Sequence, residues 1–146
     1  MLIGKYKNSV DSKNRIFVPH KFREDLGVRC VLSQDLEYRC LNLYSTEKWN
    51  EYCERIEQLP SIEMEEMRFL IYSNSNEVEI DSQGRIVLNQ LLCEDWDMLS
   101  EKEVMIVGIF SHIQIWKVSD WEEMNQKLNT PENRKAVKNQ LKKFSF

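Results

Sequence analysis

Apolar residues along this chain follow strand and helix spacings, and the pattern of one stretch returns in a later stretch. Short runs rich in β-branched and aromatic residues, alternating with polar positions, predict eight β-strands in two groups of four. In each group a tight turn follows the first strand, a short helical turn follows the second, and the last two strands form a hairpin. The predicted strands read KYKNSV, RIFV, CVLS and LNLY in the first group, and NEVEI, RIVL, VMIVG and IQIW in the second. The helical turns read HKFREDL and QLLCEDW.

Apolar residues three or four positions apart predict an amphipathic helix at the end of each group. Ser45 or Thr46 is expected to cap the first of these helices, and Ser119 the second. The predicted inward stripes are Trp49, Tyr52, Cys53, Ile56 and Leu59 in the first helix, and Trp121, Met124 and Leu128 in the second. We interpret both stripes as packing surfaces and not as a cofactor site.

Two further helices are predicted outside these groups. Pro60 ends the first closing helix, and the segment SIEMEEMRFLIY after it predicts a linker helix. Its expected inward residues are Met64, Met67, Leu70 and Ile71. Further along, Thr130 followed by Pro131 is typical of a helix start and predicts a basic helical tail.

The two groups are copies of one unit. The segment VDSKNRI at Val10 returns as IDSQGRI at Ile80, and CLNLYSTEKW later aligns with HIQIWKVSDW. The offset is 70 residues in the first block and 72 in the second, which a two-residue insertion explains. We therefore divide the chain into a first repeat (1–59), a linker helix and loop (60–76), a second repeat (77–128) and a basic tail (129–146).

The residues shared by the two motifs suit a tight turn. An Asp at the first turn position can accept backbone N–H bonds, and Gly or Asn tolerates the left-handed backbone conformation needed at the fourth. A type I turn over Ser12–Lys13 followed by a left-handed residue would make a three-residue hairpin loop with a bulge. The Asp and Arg of each motif can pair across the mouth of the turn. We assign a turn-forming role to Asp11, Asn14, Asp81, Gly84 and Arg85.

The residues that differ between the motifs suit a function assigned to one copy. Lys13 beside Asn14 and Arg15 makes a basic first tip, whereas Gln83 beside Gly84 makes a nearly neutral second tip. The alternative is that Lys13 and Arg15 belong to a solvated turn, with Arg15 paired to Asp11 for structural reasons.

Charge is unevenly distributed along the chain. The formal net charge is −4, but residues 1–23 carry +5 and residues 129–146 carry +4, while the middle carries −13. This asymmetry indicates one anion-binding face on a body that otherwise repels nucleic acid. For the tail, simple solvation of the charges is an equally good interpretation.

The cysteines and histidines indicate neither catalysis nor metal binding. The four cysteines form no C-x-x-C pair, so we interpret them as reduced and mostly buried. His20 and His112 belong to no nucleophile pattern. We therefore expect no enzyme activity, no metal and no cofactor. We also expect a soluble, cytoplasmic protein, because no apolar run approaches the ~20 residues of a membrane span and the N-terminus lacks a secretory pattern.

The two D-x-x-x-R motifs, within GKYKNSVDSKNRIFVPHKFRE and EVEIDSQGRIVL, resemble those of the MraZ family of bacterial transcriptional regulators. The segments LNLY and IQIW, each followed by a tryptophan, extend the resemblance to about Leu128. It implies a mainly β fold with flanking helices, in which the two repeats exchange hairpins to close one AbrB-type barrel. It also implies a ring-shaped homo-oligomer, associated with the nucleoid, that binds tandem operator repeats in double-stranded DNA. The regulated genes would be its own division and cell-wall gene cluster, with repression as the main effect.

Three departures from the family pattern affect the interpretation. Asn14 stands where the first motif usually has Gly, and Asn89 stands where the first copy has Pro19. Leu92–Cys93 replaces an ending of the Phe22–Arg23 type. The second copy therefore looks poorly equipped for DNA, although its strands are kept.

The candidate DNA-binding residues lie in the first copy. Lys13 and Arg15 are the candidates for groove entry, because a two-stranded ribbon fits the major groove and Arg is the commonest reader of guanine. The candidates for phosphate contacts are Lys5, Lys7, Lys21 and Arg23. The alternative function is an AbrB-like antitoxin or protein-interaction module. That function would need a disordered tail to wrap its partner, whereas the tail predicted here is helical.

Overall fold

Eight strands and six helices alternate along the chain in two similar series. The computed structural model describes the backbone of residues 1–146 and every side chain except that of Ser61. The strands are β1 (Leu2–Ser9), β2 (Arg15–Phe17), β3 (Arg29–Gln34), β4 (Cys40–Ser45), β5 (Ser75–Glu79), β6 (Arg85–Val87), β7 (Glu103–Phe110) and β8 (Ile113–Lys117). The helices are α1 (His20–Leu26), α2 (Thr46–Glu57), α3 (Ser61–Tyr72), α4 (Gln90–Glu94), α5 (Val118–Leu128) and α6 (Pro131–Lys142), with a 3-10 turn at Met98–Ser100.

The two copies exchange strands. A six-stranded antiparallel sheet has the order β1-β7-β8-β4-β3-β5, and β2 pairs with β6 in a separate two-stranded ribbon. The first strand of each copy thus pairs with the third strand of the other, as β1 with β7 and β5 with β3. Ile16 pairs with Ile86 and Asn42 pairs with Gln114, so residues 70 and 72 apart face each other across the ladders. These pairs mark an approximate two-fold relation between the copies, at the offsets found in the sequence.

The expected fold was mainly β with flanking helices, whereas the structure is a mixed α and β fold, and closure of the strands into a barrel is not seen. Among the described strands, β1 and β5 are the outer members of the sheet, and no ladder joins them. Beyond the motif turn, β1 forms its ladder with β7 and β2 forms its ladder with β6. The hairpin ladder expected between the two strands of each motif is therefore replaced by pairing with the other copy.

One hydrophobic core lies between the six-stranded sheet, the ribbon and the short helices. Both copies contribute equivalent residues to it, since Ile16, Val18 and Phe22 are buried together with Ile86, Leu88 and Leu92. Burying an aliphatic or aromatic side chain of this size contributes ~1.5–3 kcal/mol to the free energy of folding. All four cysteines are free thiols, and Cys30, Cys40 and Cys93 are buried as expected.

The predicted helix starts are correct in two cases and wrong in one. Ser45 caps α2, where its hydroxyl accepts from the Lys48 N–H, and Thr130 caps α6. Ser119 does not cap α5, because the helix begins one residue earlier, at Val118. Instead the Ser119 N–H and hydroxyl both donate to the Glu101 carboxylate, at 3.2 and 2.5 Å. A carboxylate at a helix N-terminus is favoured by the helix dipole, so Glu101 replaces the expected cap.

Three residues expected to face inward are exposed. Leu59 lies beyond the end of α2, and Leu128 is the last residue of α5, so neither helix holds its side chain against the sheet. On α3 the buried face contains Met64 and Ile71. Leu70 precedes Ile71 by one residue and is therefore turned about 100° away from that face. It joins the exposed side of the helix.

An aromatic cluster covers the sheet where α2 packs on β4. The rings of Tyr44 and His112 stack with centroids 4.4 Å apart, and Tyr52 stacks on Tyr44 at 5.8 Å. Burial lowers the pKa of His112 from 6.5 to about 4, because removal from water disfavours the charged imidazolium. Its Nδ1 lies 2.8 Å from the Ser111 hydroxyl, and its Nε2 is buried without a hydrogen-bond partner.

We expect the free energy of unfolding to fall as the pH falls from 6.5 towards about 4. The unfolded chain binds a proton on His112 in this range and the folded chain does not, so the stabilisation is complete above pH 6.5 and is lost below it. The loss has an upper limit of about 3 kcal/mol and should be smaller than that, because the ring keeps some contact with water. Urea unfolding at several pH values measures it. His112→Phe, which keeps a ring against Tyr44, should remove most of this slope, and an unchanged slope would assign it to other groups.

Candidate nucleic-acid interface

The two motif turns have the same geometry. In the first, one Asp11 oxygen accepts from the backbone N–H groups of Lys13 and Arg15, both at 2.9 Å, and the other accepts from the Arg15 Nε at 2.7 Å. In the second, Asp81 accepts from the N–H groups of Gln83 and Arg85 and from the Arg85 Nε, all at 2.9 Å.

The backbone of each turn is closed in the same way. Asn14 and Gly84 both have positive φ, at 58° and 86°. Each donates its N–H to the carbonyl of the motif aspartate. Backbone N–H donation to the carboxylates, followed by the Arg partners, lowers the pKa of Asp11 and of Asp81 below 3.8. Both aspartates therefore stay ionised at neutral pH and hold the arginine beside them.

The β2–β6 ribbon brings the two motifs onto one outer surface. Ile16 and Ile86 face the core, so the residues on either side of them face outward. Arg15 lies opposite Val87, and Phe17 lies opposite Arg85, whose Cζ is 6.0 Å from the Phe17 ring. We call this surface the ribbon face; it consists of Arg15, Phe17, Arg85 and Val87.

The apolar half of the ribbon face, Phe17 and Val87, was not predicted from the sequence. Phe17 is 50% exposed and Val87 is 54% exposed, so neither belongs to the core. The alternation in RIF and RIV, with the central Ile inward, would have placed both residues outward beside the arginines. A ribbon with two arginines and two apolar side chains can donate to guanine and also contact a thymine methyl group in a major groove.

Arg23 reaches from the first copy to the turn of the second. Its Nε donates to the Val18 carbonyl at 2.8 Å, which directs the guanidinium over Gly84. A Cβ atom at residue 84 would overlap this guanidinium. The second tip was expected to be nearly neutral, but it has the positive charge of Arg23 in addition to Arg85. In the second copy the position equivalent to Arg23 is Cys93, which is short and buried, and the first turn has Asn14 in place of glycine.

The four candidate lysines occupy different places. Lys13 is exposed at the first turn, and Lys21 is exposed on α1. Lys5 and Lys7 are exposed on β1, on the side opposite to Tyr6, whose ring packs edge-on against Phe22 in the core. Lys5 lies with its Nζ 5.6 Å from the centroid of the Trp121 ring on α5. Only Lys13 of these four lies within the motif turn itself.

Among the described residues, no group of three or more His, Cys, Asp or Glu side chains is placed to hold a metal ion. No helix in the described part of the chain has the length and apolar character needed to cross a membrane.

The comparison with known families matches both copies. A family described as "MraZ protein, putative antitoxin-like" matches residues 1–72 and again residues 71–144. The chain belongs to the MraZ family. Two matches in tandem agree with the internal repeat.

Relatives of this family match nearly the full chain. A protein of Caldicellulosiruptor bescii named "Transcriptional regulator MraZ" is 41% identical over 133 residues, covering 88% of this chain and 91% of its own. Proteins of the same name from Clostridium tetani and Alkaliphilus oremlandii are each 38% identical over 127 residues, covering 86% of this chain and 87% of their own.

Proposed function

We propose that this protein is a sequence-specific, DNA-binding transcriptional regulator. We further propose that it represses its own division and cell-wall gene cluster by binding tandem repeats upstream. The observation that supports this most directly is the ribbon face, where Arg15 faces outward beside exposed apolar side chains in a member of the MraZ family. Such a regulator would act in the cytoplasm, associated with the nucleoid.

In the proposed complex, the first motif enters the major groove. Lys13 is exposed at its tip, and Arg15 is held outward by Asp11, so the guanidinium is ordered before it meets a base. An ordered Arg loses less conformational freedom on binding than a mobile one. We assign phosphate contacts to Lys5, Lys7, Lys21 and Arg23, which would fix the register without reading sequence. Within this set, Lys5 lies against the Trp121 ring of α5.

We also propose that the exchanged strands close into an AbrB-type barrel and that the barrels assemble into a ring-shaped homo-oligomer. The ribbon contacts both β1 and β5, the two outer strands, so it lies where closure would occur. A single ribbon face is small, and linking several copies raises affinity through effective concentration. A strict monomer in light scattering at micromolar concentration would contradict the ring-shaped homo-oligomer.

A gel-shift experiment with DNA from upstream of the protein's own gene tests the proposed function. We expect slow-migrating complexes that form on DNA with short, evenly spaced direct repeats and disappear when the repeats are scrambled at constant composition. Equal binding to both DNAs would leave a non-specific DNA-binding protein, and no binding at moderate salt would reject DNA as the partner.

The affinity for operator DNA should fall steeply with salt. If three or four subunits each neutralise about three phosphates, roughly ten counterions are released, and the slope of log K against log[salt] should be near −9. Fluorescence anisotropy at salt concentrations from about 50 to about 200 mM measures the slope. A slope shallower than about −3 would mean that a single subunit contacts the DNA.

The alternative is an antitoxin-like protein whose main partner is another protein. The description of the matching family includes the term antitoxin-like, which supports this alternative. A tail that wraps a partner would have little regular structure, whereas residues 131–142 form a helix with a Thr130 cap. We therefore favour DNA as the main partner.

A further inference from the structure

Two helices present apolar faces that the rest of the described chain leaves uncovered. On α3 the outward residues Ile62 and Phe69 are 95% and 71% exposed, and Leu70 lies beside them. On α6 the exposed apolar residues are Val137 and Leu141, with Phe144 just beyond the helix. At positions i, i+4 and i+7 these three share one face. Each helix therefore has an apolar stripe turned towards solvent.

The α6 helix needs a partner to be stable. It has twelve residues, and none of them is buried. Isolated helices of this length are marginal in water, and most helices in proteins are stabilised by packing of an apolar face. The Thr130 cap and the Pro131 start favour the helix but bury no apolar surface. We infer that another surface covers Val137, Leu141 and Phe144 in the functional state of the protein.

The two faces have opposite charges. Glu65 and Glu66 lie beside Phe69 and Leu70 around a shallow hollow on α3. Arg134 and Lys138 lie beside Val137 and Leu141 along a shallow groove on α6. Among the described residues, none of these four charged side chains forms an ion pair.

The two cations beside the apolar stripe of α6, Arg134 and Lys138, have no Asp or Glu partner among the described residues. Arg134 donates to the Asn129 side-chain oxygen, and Lys138 donates to a backbone oxygen of Phe146, the last residue. An acidic partner with an apolar stripe would therefore complement α6, and α3 has both properties. The basic face of α6 and the acidic face of α3 could pair without removing any ion pair of the single chain.

We propose that α6 of one subunit docks on α3 of a second copy. The apolar stripes would pack together, and Arg134 and Lys138 would face Glu65 and Glu66. Within one chain the two surfaces belong to different regions, since α3 packs on β3 and β5, whereas α5, which leads into α6, packs on β7 and β8. A contact between two different patches is heterologous and produces a ring when the rotation closes. The inference rests on the homo-oligomer of the proposed function and gives the tail a role in it.

Charge reversal and mixing test this docking. One variant has Glu65→Lys and Glu66→Lys, and the other has Arg134→Glu and Lys138→Glu. Each variant alone should place like charges at every contact and raise the dissociation constant of assembly about tenfold or more. In an equimolar mixture the native α6 of the first variant can meet the native α3 of the second. The reversed helices of the two variants also attract each other, so the mixture should recover the native mass in sedimentation velocity.

Matched control variants carry the same charge reversals at residues outside the two proposed contact faces. Glu122→Lys with Glu123→Lys on α5, and Lys135→Glu with Lys143→Glu on the other side of the tail, should assemble as the native protein does. Native assembly by either test variant alone, no recovery on mixing, or a monomeric native protein would overturn the docking. The docking would also be overturned if the test variants kept the native mass but no longer bound anionic vesicles or random DNA. That result would mean that α6 contacts an anionic surface.

Gel shifts on the same samples separate this inference from the DNA proposal. A mixture that recovers native mass but never binds operator would reject DNA binding and keep the docking. A native protein that binds operator, with test variants that assemble normally, would reject the docking alone.

Discussion

Replacing Arg15 by Ala should abolish measurable binding to operator DNA. In the proposed complex every engaged subunit loses one contact to a base or phosphate, and a good Arg–guanine pair is worth about 1–3 kcal/mol. Over several linked subunits such losses multiply, so the affinity should fall below detection. Fluorescence anisotropy with a duplex of several operator repeats measures the change, after sedimentation and circular dichroism have shown that the variant remains folded and assembled.

Arg85→Ala is the matched control, because both arginines are held by an aspartate in the same geometry. Any loss of stability should therefore be similar in the two variants. Arg85→Ala should keep most of the operator affinity, since exposed Lys13 lies only at the first tip and Arg23 remains over Gly84 at the second. Equal losses would mean that both halves of the ribbon face contact DNA. Unchanged binding in Arg15→Ala would mean that the ribbon face is not the reader.

The sequence predicts the repeat and most of the strands because equivalent positions in the two copies have the same structural role. The offsets of 70 and 72 reappear as the pairs Ile16–Ile86 and Asn42–Gln114, which lie opposite each other in the ladders. A residue on a two-fold axis faces its own counterpart, so the self-alignment already contained this register. It did not say that β1 pairs with β7, because alternation indicates a strand and not its neighbour.

The contacts between copies explain what the sequence could not predict at the site. A glycine in a turn is explained by its positive φ alone, so nothing in the motif indicated that Gly84 also makes room for Arg23. The second tip was predicted to be nearly neutral because its own residues are, while its additional charge comes from a residue 61 positions earlier. The exposed Leu70 was missed for a related reason. The α3 stripe continues around the helix, and only the packing of Met64 and Ile71 decides which side faces the sheet.

Replacing Gly108 by Ala should cost about 3 kcal/mol in the free energy of unfolding, at the upper end of the range for overpacking. A Cβ atom at residue 108 would lie 2.5 Å from the Leu2 carbonyl carbon and 2.6 Å from the Ile3 nitrogen. Both atoms belong to the backbone of β1, so no side chain can move aside, and β1 must shift away from β7. Gly108 pairs with Gly4 near the end of this ladder. Thermal unfolding should show a midpoint lower by roughly 10 °C.

Gly27→Ala is the control that separates this crowding from backbone strain. Gly27 has φ +74° and ψ −175°, a conformation that almost only glycine adopts, and no atom lies within 4 Å of the added methyl group, so its cost of ~1–3 kcal/mol should come from backbone strain alone. A loss below about 1 kcal/mol in Gly108→Ala would show that β1 adjusts freely. A larger loss in Gly108→Ala should also weaken operator binding, because β1 carries Lys5 and Lys7 and leads directly into the turn at Asp11. Operator affinity measured well below both unfolding midpoints therefore tests whether the β1–β7 ladder sets the position of the first motif.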